Sequence, residues 1–345
     1  MVIVTRTTTA PTRVASTYMN SGSESALRGS AYLAWIAVCV LWGTTYLAIR
    51  IGLETIPPAL LGGLRYTAAG SLLAAMLAFR GERMPPSSQW PGLALVGLLT
   101  ICIGNGGVIW AEQWVPSGIA AVTVATVPFW MIGVEALMPG GDRVSAWLVL
   151  GLLVGFGGIL LLVWSDVTAG GVAGHQFLLG IAALQMACVG WAAGSALSRR
   201  HAREENVLSA AAVQMAFGGV FMLIAGTLRG EWAHLAFTQR TLAAEIYLTI
   251  VGSIVGYSAY TYALKYLPTA TVSLYAYVNP IIAIVLGALL LGEPFGPRVV
   301  FASLMVLTGS ALVQWKGRAE TGARPPLRSG VTGRSVATTA SSRRS

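Results

Sequence analysis

Ala111-Glu112-Gln113-Trp114-Val115-Pro116, with Pro128 twelve residues after Pro116, is written again as Ala263-Leu264-Lys265-Tyr266-Leu267-Pro268, with Pro280 again twelve residues on. The offset is 152 residues, and Ala136-Leu137 and Gly140 meet Ala288-Leu289 and Gly292 in the same register. A second echo lies elsewhere: Trp42 precedes Arg50 by eight residues, and Trp191 precedes Arg199 by eight, at an offset of 149. Chance similarity between low-complexity helices would have to produce both. The chain therefore reads as two similar halves.

The segments around these motifs are long and apolar. Ten stretches of about 18–24 residues, each enough to cross roughly 30 Å of hydrocarbon as a helix, run over 31–51, 58–79, 90–111, 118–138, 146–164, 177–197, 208–228, 242–264, 269–291 and 298–315. Breakers separate them: Pro57-Pro58, Pro85-Pro86, Pro116, Pro139-Gly140-Gly141, Pro268 and Pro294. The stretches are continuously apolar and do not alternate, which favours helices over a barrel. The repeated motif opens the fourth and the ninth, so each half holds five helices. Five is odd, so the second half enters the bilayer from the opposite face. The expected fold is an all-α integral membrane protein of ten transmembrane helices, an inverted repeat with a site near mid-bilayer between the halves.

Composition agrees. Of 345 residues 55% are hydrophobic and 10% charged, with mean hydropathy +0.69; soluble domains carry about 25% charge. That excludes a typical cytosolic enzyme, a disordered regulator and a nucleic-acid binder, despite the formal charge of +9. The 41 glycines suit closely packed membrane helices. Cys39, Cys102 and Cys188 lie in apolar runs with no metal-ligand spacing, so no disulfide framework, metal or cofactor is expected.

The positive charge sits at the ends. Residues 1–30 and 316–345 are expected to be disordered cytoplasmic tails, with 31–165 and 176–315 as the two repeats. With the N-terminus inside, seventeen Lys and Arg fall on the inner side and Arg50, Arg229, Arg240 and Arg298 on the outer. The positive-inside rule then places both termini in the cytoplasm.

Leu41-Trp42-Gly43-Thr44-Thr45-Tyr46, Ile49-Arg50-Ile51-Gly52, Leu64-Arg65-Tyr66, Gly104-Asn105-Gly106, Val115-Pro116-Ser117-Gly118, Thr126-Val127-Pro128, Tyr275-Ala276-Tyr277-Val278-Asn279-Pro280 and Gly292-Glu293 stand in this order along the chain. Together they resemble the EamA family of the drug/metabolite transporter superfamily, over about residues 31–315, and most of all its bacterial inner-membrane exporters. The resemblance implies ten helices, both ends cytoplasmic, a central cavity and movement of a small molecule across the plasma membrane, usually outward. It supplies no substrate. One departure is that Glu293 has no first-half partner, since Gly141 stands there and the acid, Glu135, lies six residues earlier.

Arg65, about seven residues into the second span, cannot easily reach water, and a lone cation there costs about 2.5–3.5 kcal/mol unless it has a partner or a wet cavity. It reads either as an anchor for a carboxylate or as a brace to helix-end carbonyls or Glu135. Glu135 is the candidate for proton coupling, or else an acid reaching the interface near Pro139; Glu112 and Glu245 read as interfacial. Pro128 and Pro280 free backbone carbonyls in mid-span, and Asn105 and Asn279 are candidates to meet them or to touch substrate. Trp42, Tyr46, Trp130, Trp191, Tyr257 and Tyr277 complete the candidate substrate-binding set, against the alternative of helix packing. Trp90, Trp114, Trp164 and Trp315 fit the interfacial belt.

The expected function is a secondary transporter using alternating access, with a small molecule and the bilayer as partners and protons as the candidate coupling ion. The alternative is a membrane-embedded enzyme on a lipid or small polar substrate. It would need an activated nucleophile or a His/Asp or metal cluster, whereas His175, His201 and His234 are expected to fall in loops. The Gly155-x-Gly157-Gly158 run has no strand before it and reads as helix packing. No catalytic residue is assigned, and the sequence does not specify an oligomeric state.

Overall fold

The structure, a computed structural model, describes residues 14–137, 146–169, 171–201, 207–267, 272, 275–293 and 295–322. Among the described residues there are helices and short connections but no strands. Ten rods follow one another. They are α1 (Val14–Gly52), α2 (Pro58–Phe79), α3 (90–111), α4 (117–137), α5 (Ala146–Ala169), α6 (Gly171–His201), α7 (Val207–Leu228), α8 (239–266), α9 (Tyr275–Leu291) and α10 (Pro297–Gly322). Among the described residues six rods, α1, α2, α3, α6, α7 and α8, contain stretches long and apolar enough to cross a membrane, while the other four carry shorter apolar helices.

Two rods run into the segments expected to be terminal tails. Helix α1 begins at Val14, inside the segment expected to be a disordered tail, and α10 continues to Gly322. No proline interrupts 14–52 or 298–322, and once nucleated a helix lengthens at low cost per residue. Residues 1–13 and 323–345 lie outside the described residues.

The two mid-span prolines act differently. Helix α4 breaks completely, into Ser117–Val124 and Val127–Leu137, with Pro128 second in the new segment. Helix α9 carries Pro280 inside a continuous helix. Hydroxyls bond carbonyls around the α4 break. Thr126 Oγ1 donates to Thr123 O (2.7 Å) and Ser310 Oγ to Ala125 O (2.8 Å).

Glycine contacts give the relation between the halves. A Cβ on Gly70 would stand 2.4 Å from Ala216 N, and one on Gly219 would stand 2.3 Å from Thr67 N. Residues 70 and 219, and likewise 67 and 216, are 149 apart, so the contact between α2 and α7 is reciprocal, as across a two-fold axis. The partner number falls as the first rises, so the rods are antiparallel. The same holds for α5 and α10, where a Cβ on Gly158 would meet Ala302 O at 2.7 Å and one on Gly309 would meet Gly151 O at 2.5 Å. Two equivalent helices that run antiparallel across a shared axis belong to halves of opposite orientation, which is an inverted repeat. The glycines are there for close backbone approach, as expected of the Gly155–Gly158 run.

The halves also exchange neighbours. Helix α1 packs against α8 and α9 of the second half, while α6 packs against α3 and α4 of the first. Two large apolar clusters stand out among the described residues. One is centred on Val115, Ala121, Leu162, Leu184 and Val306, the other on Leu60, Leu73, Ile101, Met215 and Leu248. Large apolar side chains also cover the outside, Leu33, Leu153 and Leu289 being 69%, 69% and 75% exposed; water would oppose that surface and lipid accepts it.

Candidate functional site

Helices α3 and α8 each contain a π-helical segment, Leu98–Asn105 and Leu248–Val255. Their offset of 150 residues makes them counterparts in the two halves. The wider i→i+5 turn displaces carbonyls from regular pairing, and such segments concentrate at functional sites. Here Asn105 Nδ2 donates to Thr100 O (3.0 Å) in the first, and Trp42 Nε1 donates to Gly252 O (3.2 Å) in the second. Each half's repeat-related tryptophan lies on the other half's π region. A Cβ on Gly256 would stand 2.6 Å from Trp42 Nε1, and one on Gly104 would stand 3.5 Å from the Trp191 ring.

Between them lies a cavity of about 780 Å³, its mouth included. Helix α1 contributes Trp42, Thr45, Tyr46 and Ile49; α2 Arg65 and Tyr66; α3 Gly104, Asn105 and Val108; and α4 Val124 and Val127. Helix α6 adds Ala187, Cys188 and Trp191, α8 Gly252, Ser253 and Tyr257, and α9 Tyr275 and Asn279. Both halves build the wall. It is mainly aromatic and aliphatic with a few polar groups, the usual character of a small-molecule site.

Among the described residues, Arg65 is the one charged residue in that lining. It is 4% exposed. Its Nε donates to Ser253 Oγ (2.8 Å), and its guanidinium carbon lies 4.5 Å from the centroid of the Tyr66 ring. Its Nη1 is buried without a hydrogen-bond partner. Trp42 organises the aromatic side, with Tyr275 edge-on at 5.0 Å, Tyr260 at 5.1 Å, Tyr257 at 6.2 Å and Trp191 edge-on at 6.4 Å between ring centroids.

Seven of the nine candidate binding residues therefore share one cavity: Trp42, Tyr46, Arg65, Asn105, Trp191, Tyr257 and Asn279. Trp130 and Tyr277 stand outside its lining. Trp130 Nε1 donates to Gln185 Oε1 (2.8 Å), and its ring meets Phe156 edge-on. Asn279, with its amide nitrogen turned to the carbonyls, donates to Tyr275 O (3.1 Å) and Cys39 O (3.0 Å), tying α9 to α1. The backbone of Glu135 is helical, but its side chain lies outside the described residues.

Glu112 and Glu245 depart from expectation. Both are buried, 0% and 7% exposed, where interfacial positions were expected. Span ends are interfacial only when nothing packs over them, and here neighbouring rods do. No carboxylate oxygen of either has a hydrogen-bond partner, and both feel the field of Arg65. Glu112 stands just past the third span; burial, with the charge of Glu293 nearby, pushes its carboxyl well above the usual carboxylate range, against the pull of Arg50 and Arg65. Arg50, expected at the outer end of the first span, is half-buried, and its Nη1 donates to Glu112 O.

Sequence reasoning missed Ser253, the orienting partner of Arg65, and the glycines that admit Trp42. The only available signal was Gly252-Ser253 and Gly256 interrupting an apolar run. Among the described residues no group of three or more His, Cys, Asp and Glu could hold a metal ion.

Comparison with known proteins follows the same outline. The family model described as the EamA-like transporter family matches residues 29–164 and 178–315, two stretches that cover most of the chain. The uncharacterized inner membrane transporter YedA of Escherichia coli K12 is 36% identical over 287 residues, 81% of this chain and 91% of that protein. The uncharacterized transporter YvbV of Bacillus subtilis is 24% identical, over 85% of this chain and 93% of its own. A probable amino-acid metabolite efflux pump of Salmonella typhimurium is also 24% identical, over 82% and 93%. A solved crystal structure superposes with a TM-score of 0.60 at 21% identity, over 85% of this chain and 99% of that one, and supports the fold alone.

Proposed function

The chain belongs to the EamA-like transporter family, and from that premise we propose that it exports a small metabolite or drug-like molecule across a bacterial inner membrane by alternating access. It is a multi-pass membrane transporter; direction, coupling and site residues are the proposed part. The observation that carries the proposal is the cavity, enclosed by both halves and holding a buried, half-satisfied Arg65. Two inverted halves of one sequence can adopt each other's arrangement, and exchanging the two arrangements moves the opening from one membrane face to the other. Trp42, Tyr46, Arg65, Asn105, Trp191, Tyr257 and Asn279 are the proposed substrate contacts. The halves are taken as 31–165 and 176–315, with both termini cytoplasmic on the distribution of Lys and Arg.

Protons are the proposed coupling ion. Glu135 was the acid named for this from sequence, and the buried, unpartnered Glu112 and Glu245 supply two more within the field of Arg65. Collapsing the pH gradient across proteoliposomes should then slow uphill movement.

The test is growth of cells producing the wild-type chain or Arg65→Ala, at equal membrane abundance, on a panel of inhibitory metabolites and drugs. The wild type should raise tolerance to at least one compound, and Arg65→Ala should lose that gain. Identical tolerance in wild-type and empty cells contradicts export. A gain that Arg65→Ala retains removes Arg65 from the site.

A further inference from the structure

Among the described residues the cavity wall has one cation and no acid, and its remaining surface is dominated by rings. A guanidinium has five N–H donors. One on Arg65 is spent on Ser253, which fixes the group beside the cavity, while Nη1 is fully buried and unpartnered. The two acids that share its field, Glu112 and Glu245, are absent from the lining and form no hydrogen bond with it. A desolvated cation with an idle donor edge is complementary to an oxyanion, and the planar fork matches a carboxylate best. In the same lining, Trp42, Trp191, Tyr257 and Tyr275 offer ring edges and faces, which take a flat apolar body. Rings also attract cations, but the Arg65 charge within the same water-poor space opposes a cationic ligand.

We propose that the substrate is an aromatic monocarboxylate, with its carboxylate on Arg65 and its ring against the Trp42 cluster. This rests on the reading of the cavity as the transport site. Ser253 is then a positioning residue, which presents the guanidinium without touching the ligand.

Three probes with one body and different heads test it: 3-phenylpropionate, 3-phenylpropan-1-ol and 3-phenylpropylamine, titrated calorimetrically at pH 7 into the purified full chain in nanodiscs. The carboxylate should bind at least tenfold more tightly than the alcohol or the amine. Arg65→Gln should erase that preference, with acid and alcohol bound alike, while a single monodisperse peak on size exclusion reports that the variant is folded. Ser253→Ala should narrow the preference several-fold. Equal binding of acid and alcohol, preference for the amine, or no binding of any probe to the wild type overturns the assignment. So does a tenfold carboxylate preference that survives in Arg65→Gln. Should Arg65→Gln fail to fold, the wild-type ranking decides. None of these outcomes touches the export reading, which stands or falls on the tolerance assay.

Discussion

At the scale of single residues, the account depends on how closely side chains approach backbone in the cavity wall. Gly256 illustrates it. A methyl group there would collide with Trp42 Nε1 at 2.6 Å, and the indole, held to Gly252 O, would have to leave its place. Gly256→Ala should therefore lower transport at least tenfold with protein abundance unchanged. Gly92→Ala, where a Cβ meets nothing within 4 Å, should leave transport intact; the assay is efflux of whichever compound the tolerance panel identifies. Arg65 was legible in the sequence because a lone cation deep in an apolar run has few harmless explanations. Ser253 was not, since a serine in a membrane helix commonly bonds its own backbone. Trp130 stands outside the cavity lining, and spacing alone cannot reveal that Gln185, on another helix, accepts its N–H.

At the scale of elements, helix ends are held by glutamates from other helices. Gly230 and Gly292 adopt positive φ (71° and 64°), which glycine accommodates without strain, and each is followed by a carboxylate that caps a distant helix. Glu231 accepts from Ala59 N (3.0 Å) and Leu60 N (3.1 Å) at the start of α2. Glu293 accepts from Ser117 N (2.8 Å), Ser117 Oγ (2.9 Å) and Gly118 N (3.2 Å) at the start of α4. Charge-assisted bonds at a positive helix end are among the stronger ones. Glu231→Ala should cost about 2 kcal/mol by leaving buried donors unsatisfied. Glu54→Ala breaks an exposed pair with Arg240 (3.2 Å) and should cost about 0.5 kcal/mol; thermal unfolding of both variants in the same detergent gives the comparison. This device had a sequence signal that went unread, because Arg80-Gly81-Glu82 recurs as Arg229-Gly230-Glu231 at the familiar offset of 149. The apolar spans were legible because twenty residues of hydrocarbon-compatible side chains permit little else. The π segments were not, since nothing in residue type distinguishes an i→i+5 turn from an i→i+4 one.

At the scale of the molecule, the inverted two-fold relation was legible from repeated motifs and an odd helix count, and the reciprocal glycine contacts give its geometry. The exchange of neighbours, which places each half's tryptophan on the other half's π region, was beyond the sequence because it is a property of packing. This exchange gives the cavity walls from both halves, and it is why a rocking of one half against the other would change which face the cavity opens to. The direct test is accessibility of a single cysteine at Val108, a cavity-lining position, with Cys39, Cys102 and Cys188 replaced by alanine. The label is a membrane-impermeant anionic methanethiosulfonate, applied to right-side-out and to inside-out vesicles. Leu153→Cys, 69% exposed on the lipid side, is the control and should react from neither face. The account predicts that the cysteine at 108 reacts from both faces; reaction from one face only, or from neither, would contradict it.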